Sequence, residues 1–297
     1  MSIGVDSSIN PSHPRSGRSD ILSSFNNTKR RPNSAKLPCL SDMPNPNLEV
    51  SLLKPEEAEQ YVRVRHETFK HTINKILYSR GEASQKTLDR VAAETRENIA
   101  KGNLYLKCVD TSTGEVVAAA RWRHVKPKDE GAKERTWGEV EAAFADRFKP
   151  YDESEPDMLD ALVTLFNDQK RKSLGTRPYF VLDTLATLPQ HERRGAGSML
   201  VRWGCEKADE AGVVAYVEAS PVGAPLYARH GFEPVADMEF DLRRWGGDEV
   251  MKFIVSTSDV PIDDHVLADM HLAHAEARED RALPLATIKS IHLQCLA

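Results

Sequence analysis

The first periodic segment of the chain alternates apolar and polar positions. Leu48, Val50 and Leu52 are separated by a Glu and a Ser, as in a strand with one buried face. Pro55 and the two glutamates after it favour a helix start, because proline fits the first turn and carboxylates complement the positive end of the helix dipole. The stretch "KTLDRVAAETRENIAKG" predicts a second helix that ends at Gly102. The pattern therefore predicts one strand followed by two helices.

Further segments rich in apolar and β-branched residues predict strands. They are residues 103–110, 115–125, 178–188, 213–220, 232–242 and 249–256. The first two surround a turn at Thr113 and Gly114, which predicts a hairpin. Helices are predicted at residues 195–212 and, over a shorter stretch, at 225–231. This alternation predicts an α/β chain with a mixed sheet of about seven strands.

Residues 126–177 interrupt this alternation and are interpreted as an insertion. The segment is highly charged at first, then acidic in "YDESEPDMLD", and it predicts a helix over residues 157–174. Clustered carboxylates would attract a cationic amine by raising the local concentration of positive charge. Alternatively, the acidic side chains serve the start of the helix through its dipole.

The two ends of the chain differ from its middle. Residues 1–47 are dense in Ser, Asn, Pro and Arg and predict a disordered tail, because they offer few apolar side chains to offset the ordering entropy. Residues 48–255 form the predicted domain, and 256–297 predict a partly helical extension. His271 and His274 have helical spacing without a carboxylate or cysteine partner, so no metal is expected.

Composition narrows the classes of partner. The net charge of −5 gives no overall attraction to nucleic acid, and no apolar run reaches the roughly 20 residues of a membrane span. The four cysteines are scattered without a CxxC pair, so neither zinc nor a disulfide framework is indicated. We therefore expect a soluble cytoplasmic protein, with the nucleus as an alternative, and the sequence indicates no particular oligomeric state.

The turn "ERRGAG" lies between a predicted strand and a predicted helix. The first backbone N–H groups of a helix have no partner within the helix and favour an anion. Gly195 and Gly197 would let phosphates approach the backbone, and Arg193 and Arg194 can add charge-assisted contacts. A pyrophosphate fits this turn, although glycines also serve ordinary tight turns. The dinucleotide fingerprint is excluded because its third glycine is replaced by Leu200, and the P-loop ending is absent.

Two motifs at this spacing resemble the GNAT-type N-acetyltransferase superfamily. "ERRGAG" is similar to the family's signature between the fourth strand and third helix, with Glu192 where the family usually has Gln or Arg. "YVEASPVGAPLYARHGFEPV" resembles the second signature, a strand leading to a short helix with a tyrosine and then a Gly-Phe turn. The resemblance covers residues 48–255, is most specific at 179–235, and is nearest to fungal members.

The resemblance implies a mostly antiparallel sheet with helices on both faces and parallel fourth and fifth strands that splay apart. Acetyl-CoA would be the co-substrate, with its pantetheine arm in the gap. The residues implied to contact it are Leu185, Ala186, Thr187, Arg193, Arg194, Gly195, Ala196, Gly197 and Ser198.

The implied chemistry is direct attack of an amine on the thioester. The N–H of Leu185 would stabilise the oxyanion, and Tyr227 occupies the position of the family's acid. Asp183 and Glu218 lie near the expected splay, and either is a candidate base or a structural partner. The predicted acceptor is the primary amine of a small molecule. A protein or peptide acceptor, or a catalytically idle acyl-CoA-binding module, are the alternatives.

Overall fold

A computed structural model of the chain describes residues 45–258 except residues 130, 147 and 148. The predicted tail lies outside the described residues up to residue 44, and the predicted extension lies outside them from residue 259.

Seven strands form one mixed sheet in the order β1-β2-β3-β4-β5-β7-β6. Their bounds are β1 Leu48–Leu52, β2 Leu104–Asp110, β3 Glu115–Val125, β4 Tyr179–Thr187, β5 Val214–Ala219, β6 Phe232–Asp241 and β7 Val250–Ser258. Every neighbouring pair is antiparallel except β4 and β5, which are parallel. The predicted fold class, the hairpin and the parallel pair are confirmed.

Seven α-helices connect these strands in the described residues. They are α1 Ala58–Phe69, α2 Asn74–Leu77, α3 Gln85–Ala100, α4 Trp137–Ala145, α5 Pro156–Leu174, α6 Ala196–Ala211 and α7 Ala224–Arg229. The short α2 and α4 were not predicted. A signal for α4 was present, because Thr136 and Glu139 form a capping box at its start, with Thr136 accepting from the Glu139 amide and Glu139 accepting from the Thr136 amide.

The helices pack on opposite faces of the sheet. On one face, α6 packs its apolar residues against Trp122 of β3 and Leu182 of β4. On the other face, α1 and α3 cover β2 and β3 around Tyr105 and Ala119. Helix α5, from the predicted insertion, covers β4, β5 and β7 on that same face as α1, with Leu162 in the cluster. Strands β4 and β5 therefore lie between layers of helix.

The contact between α6 and the sheet depends on Gly204. A Cβ atom at this position would lie 2.0 Å from Cε2 of Trp122, so the helix approaches the indole ring as closely as its backbone allows. The indole Nε1 donates a hydrogen bond to the carbonyl oxygen of Leu200 at 3.3 Å. Trp203 and Cys205, on either side of Gly204, are partly buried and pack against the same cluster. The close approach fixes the position of α6, and with it the turn that precedes the helix.

Gly204→Ala should destabilise the fold, although alanine is the better helix former. The added methyl group would overlap a fully buried ring, and overpacking of this kind costs about 1–3 kcal/mol or more, against a propensity gain of about 1 kcal/mol. Gly138→Ala in α4 is the matched control, because its Cβ would meet only ordinary contact at 3.8 Å. Chemical denaturation of both variants checks this. Equal stability of the two variants would contradict the packing.

Candidate functional site

Strands β4 and β5 pair along only part of their lengths. The parallel ladder joins residues 179–182 of β4 to residues 214–217 of β5 and then stops. Beyond that point β4 continues along β3 as far as Thr187, whereas Glu218 and Ala219 continue along β7. Because each strand stays bonded to its outer neighbour, the two inner edges separate. The predicted splay is therefore present, and it begins at Asp183 and Glu218.

The splayed edge of β4 contains the three residues predicted to contact a ligand through their main chain. Ala186 is fully buried, and Leu185 and Thr187 are partly buried. The carbonyl oxygen of Thr187 already accepts a hydrogen bond from Oγ1 of Thr68, at 3.1 Å. Helix α1 therefore caps the far end of this edge, which the sequence did not predict.

The turn before α6 holds a run of unbonded backbone amides. Arg193 and Gly195 both have positive φ angles, of 61° and 97°, in the left-handed region. Gly195 is the N-cap of α6 and supplies no side-chain acceptor. Among the described residues, the N–H groups of residues 193–198 have no acceptor. Successive free amides at a helix N-terminus form an anion-binding concavity, and strained backbone is common at such sites.

The side chains around these amides differ in their availability. Arg193 is exposed and has no ion pair with another described residue. Arg194 forms an ion pair with Asp110 at 2.5 Å. The hydroxyl of Ser198 lies 2.7 Å from Nε2 of His230. Of these two arginines, Arg194 is held in an ion pair, whereas Arg193 has no ion pair within the described part of the chain.

Gly197 lies where α6, β4 and α7 meet. A Cβ atom here would lie 3.3 Å from Cδ2 of Leu226, with Thr187 and Leu185 next nearest. Replacement by a bulky residue would therefore crowd the side chains of these three elements. The backbone N–H of Gly197 is one of the free amides of the turn.

Tyr227 of α7 is 7% exposed and packs its ring on Phe232, with ring centroids 5.8 Å apart. Burial raises the pKa of its hydroxyl, so the phenol is neutral at ordinary pH. Its hydroxyl makes no hydrogen bond to another residue in the described part of the chain. Tyr227 therefore belongs to the core beside α6 and the inner strands, with a hydrogen-bond donor to spare.

Asp183, one of the two candidate bases, has both carboxylate oxygens occupied. Nη2 of Arg123 donates to Oδ1 at 2.8 Å, and Nε of Arg123 donates to Oδ2. Nε of Arg121 lies 3.6 Å from Oδ2. Burial alone would raise the pKa of Asp183, but the two guanidinium groups outweigh it and hold that pKa below its usual value. Asp183 is thus a structural anion that joins β3 to β4.

Glu218, the other candidate, is bonded on one side only. Its Oε1 accepts from Nζ of Lys170 at 2.5 Å and from the hydroxyl of Tyr216 at 3.0 Å. Burial, together with the charge of Glu218, raises the pKa of Tyr216 and keeps this phenol a donor. Its second oxygen, Oε2, accepts no hydrogen bond from a described residue and is not sealed from solvent. Glu218 therefore presents a held carboxylate with one available oxygen at the start of the gap.

Lys170 is a site residue that the sequence interpretation missed. It lies on α5, is 6% exposed, and follows Leu162 and Phe166 at four-residue intervals. A lysine on the apolar stripe of an amphipathic helix is unusual, because a buried ammonium group needs a partner. This break in the apolar pattern of the helix was the feature of the sequence that could have identified Lys170.

The acidic segment of the insertion is engaged in local contacts. Asp152 pairs with Lys86, and Glu155 pairs with Arg80. Glu153 accepts hydrogen bonds from the Ser84 amide and the Thr87 hydroxyl at the start of α3. Burial disfavours the charged form of Glu153, but these bonds outweigh it and bring its pKa to about 2. Asp152 and Glu153 thus bond the start of α3 rather than the start of α5, which the sequence had suggested as the alternative. Engagement of these carboxylates favours a structural role over attraction of an amine.

A separate cleft of about 270 Å³ lies between α1 and α3. Its lining combines an apolar floor with a charged rim: Glu59, Val62, Arg63, His66, Glu67, Gln85, Leu88, Asp89 and Ala92. None of the predicted site residues lines it. Across the described ranges, no group of three or more His, Cys, Asp or Glu side chains could hold a metal ion, and no described helix could cross a membrane. His271 and His274 lie outside those ranges.

A sequence model of the acetyltransferase (GNAT) family matches residues 150–232. The match runs from the segment before α5 to the start of β6 and includes the free amides of the turn, Glu218 and Tyr227.

Solved structures share the fold at low sequence identity. A mosquito arylalkylamine N-acetyltransferase like 5b aligns with a TM-score of 0.52 and 15% identity, covering 71% of this chain and 99% of that chain. Arylalkylamine N-acetyltransferase 2 from Aedes aegypti aligns with a TM-score of 0.52 and 12% identity, covering 72% and 100%.

Glu153→Gln should lower stability without changing the affinity for an amine. Loss of the charged contacts to Ser84 and Thr87 is expected to cost about 1 kcal/mol at neutral pH. Because the folded pKa of about 2 lies below the ordinary 4.5, this contribution is complete above pH 4.5 and disappears as pH falls towards 2. Denaturation at several pH values measures it.

Asp152→Asn is the control for this prediction, because its ion pair with Lys86 is highly exposed and contributes little. A salt-sensitive rise in KM for a cationic amine in either variant would contradict the structural role and restore attraction of the substrate.

Proposed function

We propose that this protein transfers an acetyl group from acetyl-CoA to the primary amine of a small molecule, because a GNAT-family model matches residues 150–232 and the described residues form a GNAT-like sheet with parallel β4 and β5. One observation supports this most strongly. The free amides of residues 193–198 lie directly after the strand edge that β5 leaves unpaired. An anion site and an open strand edge in succession suit a ligand that has a pyrophosphate and an amide-containing arm.

The donor's position follows from these two features. The amide run and Arg193 bind the pyrophosphate, and the edge at Leu185, Ala186 and Thr187 bonds the amides of the pantetheine arm as a strand would. In this arrangement the thioester lies in the gap, and the N–H of Leu185 stabilises the oxyanion.

We assign the base to Glu218 in preference to Asp183. Both oxygens of Asp183 are occupied by Arg123, so protonation there would require breaking a buried ion pair. Glu218 keeps Oε2 available while Lys170 and Tyr216 hold Oε1. An alkylammonium has a pKa near 10.4, roughly, so it must lose a proton before it attacks. Oε2 of Glu218 accepts that proton.

The transfer step then balances. The neutral amine nitrogen attacks the carbonyl carbon, a C–N bond forms, the C–S bond breaks and the sulfur leaves with the electron pair. The nitrogen then loses its second proton to the departing thiolate, so that the products are the amide and the free CoA thiol. Tyr227 donates a hydrogen bond to the sulfur as its charge develops. Because a thiol with a pKa near 8.5, roughly, is a stronger acid than a buried phenol, stabilisation of the thiolate is favoured over full proton transfer from Tyr227.

The packing of α5 over one face of the gap favours a compact acceptor, because the helix covers this face of the sheet. Helix α5 packs over β4, β5 and β7, and it delivers Lys170 to Glu218 at the mouth of the splay. A protein or peptide acceptor would need an open groove along this face. The idle-module alternative is disfavoured by Glu218 and Tyr227, because each keeps a hydrogen-bonding atom that no described residue uses.

The proposal is tested by calorimetric titration with acetyl-CoA, followed by measurement of free CoA thiol on addition of amines. An alkylamine, an arylalkylamine, a polyamine and a lysine-containing peptide cover the acceptor classes. Binding with thiol release for a small amine supports the proposal. Release only with the peptide would replace the acceptor class, binding without release for any acceptor would favour the idle module, and no binding would refute the proposal.

Glu218→Gln should lower kcat about 100-fold, within the usual range for loss of a general base, with the KM for acetyl-CoA unchanged. The loss should shrink as pH rises towards 10, because the amine then loses its proton to solvent. Steady-state kinetics from pH 6 to pH 10 measure both effects.

Glu233→Gln, at an exposed position on β6, is the matched control and should leave kcat unchanged. Asp183→Asn should instead destabilise the fold, because it removes the buried negative charge that accepts two hydrogen bonds from Arg123. A pH-independent loss in Glu218→Gln would exclude Glu218 as the base.

Tyr227→Phe should lower kcat by about 10- to 100-fold, the usual range for a hydrogen bond to a charged group, with little change in acetyl-CoA affinity. The phenylalanine ring keeps the packing on Phe232, and the lost hydroxyl bonds no described residue, so stability should hold. Full activity of this variant would remove Tyr227 from the mechanism.

A further inference from the structure

A chain of charged side chains connects the turn before α6 to the β2–β3 hairpin. Arg194 donates from Nη2 to Oδ2 of Asp110 at 2.5 Å, and its Nη1 lies 2.6 Å from Nδ1 of His191. Nε2 of His191 lies 3.3 Å from Oε2 of Glu115, and Nη1 of Arg63 lies 3.4 Å from Oε1 of Glu115. The turn is thus linked to the end of β2, the start of β3 and helix α1.

Asp110 is a fixed anchor in this chain. It is the last residue of β2, and its side chain is 5% exposed. Its Oδ1 accepts from the Ser112 amide at 3.0 Å and from the Ser112 hydroxyl at 2.6 Å. Arg194 takes the other oxygen, so each carboxylate oxygen has its own donors. Bonds from Ser112 and Arg194 lower the pKa of Asp110 to about 2, and the carboxylate is therefore ionised throughout the neutral range.

The tautomer of His191 follows from the same contacts. A guanidinium group can only donate, so Nδ1 of His191 must accept from Arg194. The ring proton then resides on Nε2, which faces Glu115. A neutral His191 therefore connects Arg194 to the hairpin on a second side.

The neighbouring arginine has the opposite environment. Arg193 is exposed, lies in the left-handed region with φ of 61°, and has no ion pair in the described residues. Two adjacent basic residues of one turn are thus divided into one that is bound to the protein on two sides and one that is available to a ligand.

We infer that Arg194 is a positioning residue that Asp110 and His191 hold in place, and that Arg193 is the side chain that meets the phosphates of the coenzyme. This inference rests on the proposed use of acetyl-CoA. If Arg194 moved to a phosphate, the buried Oδ2 of Asp110 would lose its cation, which is costly for a buried carboxylate. Holding Arg194 instead fixes the backbone of the turn that carries the free amides of residues 193–198.

The two possible roles of Arg194 predict opposite effects for Asp110→Asn. If Arg194 is a phosphate ligand restrained by Asp110, the substitution releases it, and affinity for CoA stays the same or increases. If Arg194 positions the turn, the substitution loosens the turn, and affinity decreases. The sign of the change in Kd therefore distinguishes the roles.

The experiment is a double-mutant cycle of Asp110→Asn and Arg194→Gln, with CoA affinity measured by calorimetry. We expect each single variant to weaken binding about 10-fold and the double variant to be no weaker than the weaker single variant, because residues in one ion pair act non-additively. Arg194→Lys should restore part of the affinity. Unchanged or tighter binding in Asp110→Asn, or additive losses, would overturn the inference.

The salt dependence of CoA binding distinguishes the roles of the two arginines. Arg193→Gln should weaken CoA binding about three-fold in a way that fades at high salt, since an exposed charge is screened. Arg194→Gln should keep its effect at high salt. Asp237→Asn, at an exposed position of β6, should have no effect.

Unfolding is also measured without coenzyme for the four proteins of the cycle, which are the wild type, Asp110→Asn, Arg194→Gln and the double variant. This measurement distinguishes failure of this inference from failure of the proposed function. Coupling between Asp110 and Arg194 in the unfolding free energy tests the link itself. Wild-type protein that binds no CoA would refute the proposed function and the role of Arg193. Wild-type binding without coupling at Asp110 would refute only the positioning role.

Discussion

The rest of the site depends on a competition between sheet partners at β4 and β5. Two parallel strands could continue to pair, but β4 follows β3 and β5 follows β7 beyond residues 182 and 217. Unpaired backbone inside a sheet is costly unless another group bonds it. The divergence therefore creates both the space for a ligand and the demand for one that can bond like a strand. Helix α6 begins beside this gap, and its close packing on Trp122 fixes where its free amides lie.

The gap and the turn beside it each contain two like-charged side chains, one of which is fully bonded within the protein while the other is only partly bonded or not bonded. Asp183 has every oxygen bonded by an arginine, whereas Glu218 has one oxygen bonded and one available. The arginines of the turn show the same division, with Arg194 bonded and Arg193 available. In both cases the structure separates a group that maintains the geometry from a group that can meet a ligand. The sequence alone does not show which of two similar residues is bonded within the protein and which is available to a ligand.

The sequence was informative where local pattern determines structure. Alternation and turn residues located the strands, and the glycines of "ERRGAG" located the turn whose amides have no acceptor among the described residues. The features of the site that the sequence did not predict depend on contacts between residues far apart in the chain. Lys170 reaches Glu218 across 48 residues, and Arg194 reaches Asp110 across 84 residues. No local pattern encodes such pairs, although a lysine on an apolar helix stripe marked one of them. The role of Gly204 likewise required knowing that Trp122 lies opposite it.

The central claim is that the coenzyme occupies the splayed edge of β4 and the turn before α6. Backbone hydrogen exchange with and without saturating acetyl-CoA tests it most directly. Exchange should slow in peptides that cover residues 183–188 and 193–199, while the cleft between α1 and α3 should be unchanged. Binding that leaves both of those segments unchanged, or that protects only the α1–α3 cleft, would contradict the claim.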